Sequence, residues 1–400
     1  MTIQSQLTFD PYSEEFFASP HEIYRRMRTE APVYYHEDLD FYALTRYEDV
    51  AAAARDFQTY SSAGGLDLAM MRSGQEPPPA ILYLDPPEHG RMRGLVNKAF
   101  TPRSVEAQRN TVIETVQRCL SNANPRRFDV VQDFSAIFPG EVITSMVGVP
   151  APGRQQFREF VQVALSYQPG QTAPDETTVT MMLNAAAYCY NLVQERRAQP
   201  QDDMISTLIE AEIERGDGEK TSLSDDEITL FAMLVGGAGT ETVTKLVANA
   251  VAAFARHPDQ WQMLYEDRTK IPAAVEEVLR YDSPVLYTLR RTTKDVTLHG
   301  VTIPAGKPVF LCEVAANRDP DVFNDPDVFD IDRDHTRAQH LALGYGVHSC
   351  LGAALGRMET VIALDHLLDF MPRYEVIWDE CRRVNASTVA GWGQLPVRVG

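Results

Sequence analysis

The segment from Ser224 to His257 constrains the fold more than any other. Ser224-Asp225-Asp226-Glu227 puts a serine at an N-cap and a glutamate three residues on, the capping box that satisfies two free amides at a helix start. His257-Pro258 ends the pattern, because proline lacks the amide that a continuing helix needs. Some 30 residues at 1.5 Å each make a rod of about 45 Å, long enough to cross a whole domain. Ile228, Phe231, Leu234, Val235, Leu246, Val247, Ala250, Val251 and Phe254 occupy most of its faces, so the spacing predicts a buried helix with other elements packed around it. Its centre, Gly236-Gly237-Ala238-Gly239-Thr240-Glu241-Thr242, is unlike a core helix. Each interior glycine costs roughly 1 kcal/mol against alanine, and a buried glutamate is costly unless bonded. Such a centre fits close packing around small residues. It equally fits a helix opened locally to free a carbonyl and admit a small ligand beside an acid and a hydroxyl.

A second stretch supplies a chemical group. In Leu343-Gly344-Tyr345-Gly346-Val347-His348-Ser349-Cys350-Leu351-Gly352 a lone cysteine is framed by three glycines, which let the backbone approach a flat ligand closely. From Leu351 the residues Ala354, Leu355, Met358, Val361 and Ile362 repeat at helical spacing, so Cys350 is expected at a helix N-terminus, where free amides and the dipole lower a thiol pKa. A buried cysteine in a tight turn is the plain alternative. Zinc is disfavoured, because the chain has no Cys-x-x-Cys and only His348 lies near.

The order Gly344-x-Gly346-x-His348-x-Cys350-x-Gly352 resembles the haem-binding signature of the cytochrome P-450 superfamily, in which the cysteine is the proximal iron ligand. The phenylalanine usual before the first glycine is Leu343 here, which alters packing beside the sulfur. Ala238-Gly239-Thr240-Glu241-Thr242 is similar to the family's oxygen-activation motif, which implies a proton-relay role for Glu241 and a stabilising hydroxyl at Thr242. Leu84-Asp85-Pro86-Pro87-Glu88-His89-Gly90-Arg91-Met92-Arg93 starts a helix with His89 and Arg93 four apart on one face. Continued through Phe100-Thr101-Pro102-Arg103, it resembles the segment whose histidine and arginine contact the haem propionates, implying those roles for His89 and Arg93. The family's arginine five residues before the aspartate matched by Asp295 is Arg290, a further propionate ligand, with adjacent Arg291 the weaker choice. His348 is placed at a propionate in the same way. Glu277 and Arg280 fall three apart on a helix, a spacing worth little on a surface, yet they match the family's structural Glu-x-x-Arg, with Arg333 the candidate third member. Leu234, Ala238, Val285, Leu286 and Leu289 are the candidate substrate-lining residues.

The resemblance implies a mainly α fold with a smaller β-rich part, one domain over residues 1–400, and haem b (iron protoporphyrin IX) between the long helix and the Cys350 helix. Its activity would be O2-dependent hydroxylation of a hydrophobic small molecule such as a fatty acid, terpenoid or steroid. A peroxide-driven enzyme and a non-catalytic haem-thiolate binder or gas sensor are the alternatives. The first class lacks the acid and threonine pair present here, and the second predicts loss of Thr242 or of the pocket.

Along the chain, Pro20 to Arg28 reads as an amphipathic helix, and Val33-Tyr34-Tyr35 with Phe41-Tyr42-Ala43-Leu44 as a hairpin. Ser61 to Pro79 reads as a long loop whose Leu66, Leu68, Met70 and Met71 suit an adaptable pocket wall. Val105 to Leu120 reads as one core helix, residues 128–215 as helices broken by Pro139, Pro150 and the loop 168–171, and Glu212 to Ser222 as an exposed loop. Val296 to Gly306 reads as a hairpin.

No uninterrupted apolar run reaches the roughly 18 residues that span a bilayer, and the start lacks a signal-peptide pattern, so a cytoplasmic protein is expected. Five scattered cysteines suit a reducing compartment. A net charge of −19 argues against nucleic acid or anionic membrane as partner. Between His89 and Arg127, however, eight Lys/Arg face two acids, a local +6. That patch fits solvated helix faces or the docking of an acidic electron donor. With no flavin or ferredoxin sequence fused, the expected donor is a separate ferredoxin with its reductase, serving a monomer.

Overall fold

The computed structural model describes residues 7–165, 168, 170–214, 220–386 and 388–400. The chain start at residues 1–6, Pro169 and the middle of the polar segment, residues 215–219, lie outside the described residues.

The central helix runs unbroken from Asp225 to Arg256, with the capping box formed: Ser224 Oγ accepts from the Glu227 amide at 3.2 Å, and the Glu227 carboxylate accepts from the Ser224 amide at 2.8 Å. Helices Phe138–Val147, Arg154–Leu165, Glu176–Ala198 and Ala353–Phe370 pack around it. By length and composition this helix could cross a membrane, but 67% of its most apolar window is buried inside the protein. It is the spine of the main hydrophobic core, which extends from Ile81 to Val397.

Two smaller cores lie on the faces of a five-stranded sheet ordered Val33–His36, Phe41–Leu44, Pro308–Leu311, Thr288–Thr292, Tyr60–Ser61. The hairpin Val33–His36 with Phe41–Leu44 forms as expected, antiparallel, and Pro308–Leu311 joins it in parallel. Val296–Leu298 and Val301–Ile303 make the second expected hairpin, turning through His299 and Gly300, both at positive φ. The C-terminal hairpin, Arg382–Ala386 with Val389–Gln394, lies against the central helix.

Four expectations need correction. The Ser61 to Pro79 stretch contains a helix, Leu68–Ser73, capped by Asp67 and ended by Gly74 at φ 68°, and it buries Leu68 and Met71. Val105 to Leu120 is shared between two helices, Pro102–Ala107 and Arg109–Asn122. Strands Glu212–Glu214 and Lys220–Ser222 pair where an open loop was expected. Pro139, read as a breaker, sits in the first turn of Phe138–Val147, where its missing amide costs nothing.

Glu277 and Arg280, on helix Ile271–Tyr281, are both fully buried and joined by two hydrogen bonds of 2.8 Å. Arg280 also donates to the carbonyls of Asn317, Pro326 and Val328, and Arg333 closes on the same carboxylate at 3.1 and 3.2 Å. The pair is therefore a buried clamp. Removing one partner of such a pair costs several kcal/mol, far more than a surface pair is worth.

Candidate active site

The site begins with a stripe on the central helix. Most of that helix is buried, yet Leu234, Ala238 and Thr242, each four residues apart on one face, keep accessible surface in the middle of the molecule. Accessible surface inside a packed core marks the wall of a cavity. The wall is apolar apart from the Thr242 hydroxyl, which donates to the Ala238 carbonyl at 2.7 Å.

The helix does not open at its glycines, so the locally opened form is not what the structure adopts. Close packing accounts for two of them: a Cβ at Gly236 would lie 2.6 Å from Phe157, and one at Gly239 would lie 2.5 Å from Ile143. Glu241 is 5% exposed and is satisfied by a partner one turn on, Lys245, with Nζ 3.5 Å from Oε2.

Cys350 faces a cavity by the same reasoning: it has accessible surface, and yet burial pushes its thiol pKa up. The Gly352 amide, Arg93 and Arg357 pull the other way and are outweighed. The lowered thiol pKa expected from a helix N-terminus is thus corrected; the helix starts at Ala353, behind the Gly352 cap, leaving Cys350 short of its first turn. The loop is held by the Cys350 amide donating to the Leu343 carbonyl at 2.7 Å. Gly346, at φ 71°, passes so close to another loop that a Cβ there would meet the Ala54 carbonyl oxygen at 2.8 Å. Arg93 donates to the carbonyls of Val347 at 3.1 Å and Ser349 at 2.6 Å, fastening helix Glu88–Val96 to the cysteine loop.

Beside that loop a set of basic groups converges. The rings of His89 and His348 are 4.3 Å apart, and His348 Nε2 is 3.0 Å from Ser62 Oγ. Burial, followed by the charge of Arg290 and the proximity of His89 and Arg93, lowers the His348 pKa to about 3. Burial also lowers that of His89, helped by Arg93. Of the two groups on that helix face, Arg93 carries the charge and the His89 ring is disfavoured as a cation. Arg290 is 6% exposed, spends one nitrogen on the Leu289 carbonyl at 2.7 Å, and has no ion-pair partner among the described residues. His89 Nε2 is buried and unpaired. A buried guanidinium with unused donors, beside an orphaned imidazole nitrogen, is a site for carboxylates. The residues present therefore fit haem: a sulfur with accessible surface, an apolar helix stripe with accessible surface, and donors for two propionates.

The strand Thr288–Thr292 separates the expected pocket residues. Alternation puts Leu289 and Arg290 on opposite faces. Leu289 is 1% exposed and Leu286 is 2% exposed, both packed with Phe310 in the core under the sheet, where Leu289 also borders a small cavity with Leu66 and Leu68, and Val285 retains surface and bridges Val389. Arg291 turns away to the Met71 carbonyl. Three partners escaped the sequence reading: Lys245, Ser62 and Glu313, the last accepting from Thr288 Oγ1 at 2.6 Å. Only Lys245 had a visible signal, its i+4 spacing from Glu241.

A family model described as Cytochrome P-450 matches residues 19–371. Cytochrome P-450 123 of Mycobacterium tuberculosis is 38% identical over 397 residues, covering 98% of this chain and 97% of that one. The vitamin D(3) 25-hydroxylase of Pseudonocardia autotrophica is 34% identical over 404 residues, 98% and 96% of the two chains. The crystal structure of P-450 BioI, in complex with acyl carrier protein ligated to hexadec-9Z-enoic acid, superposes with a TM-score of 0.84 at 33% identity, covering 96% of this chain and 100% of that one. The chain belongs to the cytochrome P-450 family and has its fold. It is a monooxygenase, an oxidoreductase that carries haem b on a cysteine ligand.

Proposed function

We propose that residues 1–400 form one haem-thiolate domain that hydroxylates a C–H bond of a hydrophobic small molecule, a fatty acid, terpenoid or steroid, with electrons from a separate ferredoxin and its reductase. The observation that carries the reading is the apolar stripe Leu234, Ala238, Thr242: it offers a large nonpolar molecule a wall with one hydroxyl and no charge. The names of two relatives point the same way, one a vitamin D(3) hydroxylase and the other bound to a hexadecenoic acyl group.

Haem b, when bound, supplies the O2 activation and C–H oxidation. The chain's residues do the rest. Cys350 ligates the iron from the loop that Arg93 and the Leu343 carbonyl hold in shape. Arg290, His89 and His348 receive the propionates. Thr242 presents its hydroxyl to the cavity, and Glu241 passes protons toward it from the buried side of the helix. Leu234, Ala238 and Val285 exclude water and seat the substrate.

For the electron donor, Arg103, Arg126 and Arg127 are exposed. Arg91, Arg109 and Arg118 are each paired to a glutamate, while the Lys98 side chain lies outside the described residues. The docking charge is therefore smaller than the +6 of the sequence implies. We place the protein in the cytoplasm as a monomer.

The test is a titration of the oxidised holoprotein with a panel of fatty acids, terpenoids and steroids. A low-spin to high-spin shift with one class, followed by its hydroxylation with ferredoxin and reductase, is expected. No shift with any of the three would contradict the substrate assignment. Glu241→Ala and Thr242→Ala are expected to keep haem and substrate binding, the first lowering turnover by cutting the proton supply and the second uncoupling O2 to peroxide. Coupled turnover unchanged in both would remove the relay.

A further inference from the structure

Lys245 lies in the apolar second half of the central helix at 3% exposure, where an ammonium is costly unless paired. Among the described residues it has two partners. One is the Glu241 carboxylate at 3.5 Å, and the other is the Trp392 carbonyl at 3.3 Å, on the C-terminal hairpin. The strand carrying Trp392 rides directly on the lysine: a Cβ at Gly391 would lie 2.8 Å from Lys245 Cβ, so only glycine fits there.

That hairpin reaches the pocket wall. Its turn is bonded to the segment beside Val285, with the Leu286 amide donating to the Thr388 carbonyl at 2.9 Å and the Ala390 amide to the Pro284 carbonyl at 2.8 Å. Thr388 also borders a small cavity with Tyr12, Phe17 and Leu66. Glu241 shows almost no surface to the main cavity, unlike its neighbour Thr242. Its carboxylate is directed along the helix to the lysine, away from the accessible stripe.

We propose that Lys245 is a positioning residue that holds Glu241 off the cavity and links its release to the C-terminal hairpin, so that proton delivery depends on whether the pocket is filled. The inference rests on the reading of Glu241 as the relay acid. At 3.5 Å, with one cation and one carbonyl, the pair is looser than the Glu277 clamp with its two 2.8 Å bonds and two arginines, which suits a pair that opens.

The test uses the holoprotein with a surrogate ferredoxin, its reductase and NADPH, and no substrate. The leak measured is O2 plus two electrons from the ferredoxin and two protons giving hydrogen peroxide. Lys245→Met frees the acid and is expected to raise this leak several-fold, Lys245→Arg to restore it, and Lys245→Met combined with Glu241→Gln to abolish the rise. An infrared carbonyl band of a protonated carboxyl, present in Lys245→Met and absent in the double variant, reads the same event without turnover. If Lys245→Met does not hold haem, Lys245→Gln carries the same comparison. A rise that persists in the double variant, or no rise in a variant that holds haem, overturns the proposal. Coupled turnover with substrate unaffected by Glu241→Gln alone would instead overturn the relay reading beneath it.

Discussion

Two buried charge clusters, similar in composition, differ in whether the chain completes them. At Glu277 the carboxylate is shared by Arg280 and Arg333, and backbone carbonyls take the remaining guanidinium donors, so both cations are paired although the neighbouring His335 ring, 3.6 Å from the carboxylate, has no hydrogen bond. Around His348 the balance is open: Arg290 has no ion-pair partner among the described residues, and His89 Nε2 has none of any kind. A cluster whose buried cations are paired as folded is a structural clamp. One that leaves buried donors unused is shaped for a group the chain does not itself supply, since unpaired buried polar atoms are costly.

That contrast can be broken at several points. The largest effect is expected at the clamp: Glu277→Ala leaves the fully buried Arg280 and the part-buried Arg333 facing each other and should cost roughly 3–5 kcal/mol, read as a lost denaturation transition or as protein without bound haem. A clamp variant with wild-type stability would make the two clusters equivalent. Next, Arg290→Leu removes charge-assisted bonds to a propionate, each worth about 1.5–3 kcal/mol, and should weaken haem retention in transfer to apomyoglobin while leaving the apoprotein as stable as before. Loss of apoprotein stability instead would mean that Arg290 is a structural member.

The smallest effect sharpens the edge of the open cluster. Burial raises the Glu313 pKa to about 7, against the opposing bonds and charge of Thr288 and Arg290. Because the folded pKa lies above the unfolded one, the folded state binds the proton more tightly, and stability falls as pH rises from about 4.5 to about 7. Glu313→Gln keeps an acceptor for Thr288 and removes that penalty. It should gain a few degrees in Tm on the wild type across this window, and no change in the difference with pH would mean that Glu313 is charged in the fold.

What could be read from the sequence followed the physics of local signals. The capping box at Ser224 and the stop at His257 are local, and both ends of the central helix were legible. The cysteine loop was legible because glycines at fixed offsets are rare without a backbone reason. The helix at Leu68 was hidden by glycines and prolines around it, although Asp67 and Gly74 are ordinary cap residues. The status of Glu277 with Arg280 was not legible from spacing alone, since burial there comes from the segment Asn317 to Arg333 wrapping over the pair. The side that Leu289 faces was not legible for a related reason: a strand with both faces buried does not announce which face meets the cavity.

The central claim, that Cys350 presents its sulfur to haem in the open cluster, is tested most directly by the absorption spectrum of the reduced, CO-exposed holoprotein, wild type beside Cys350→Ala. The account predicts a strongly red-shifted Soret band in the wild type and its absence in the variant. A fully haem-loaded wild-type protein without that band would contradict it.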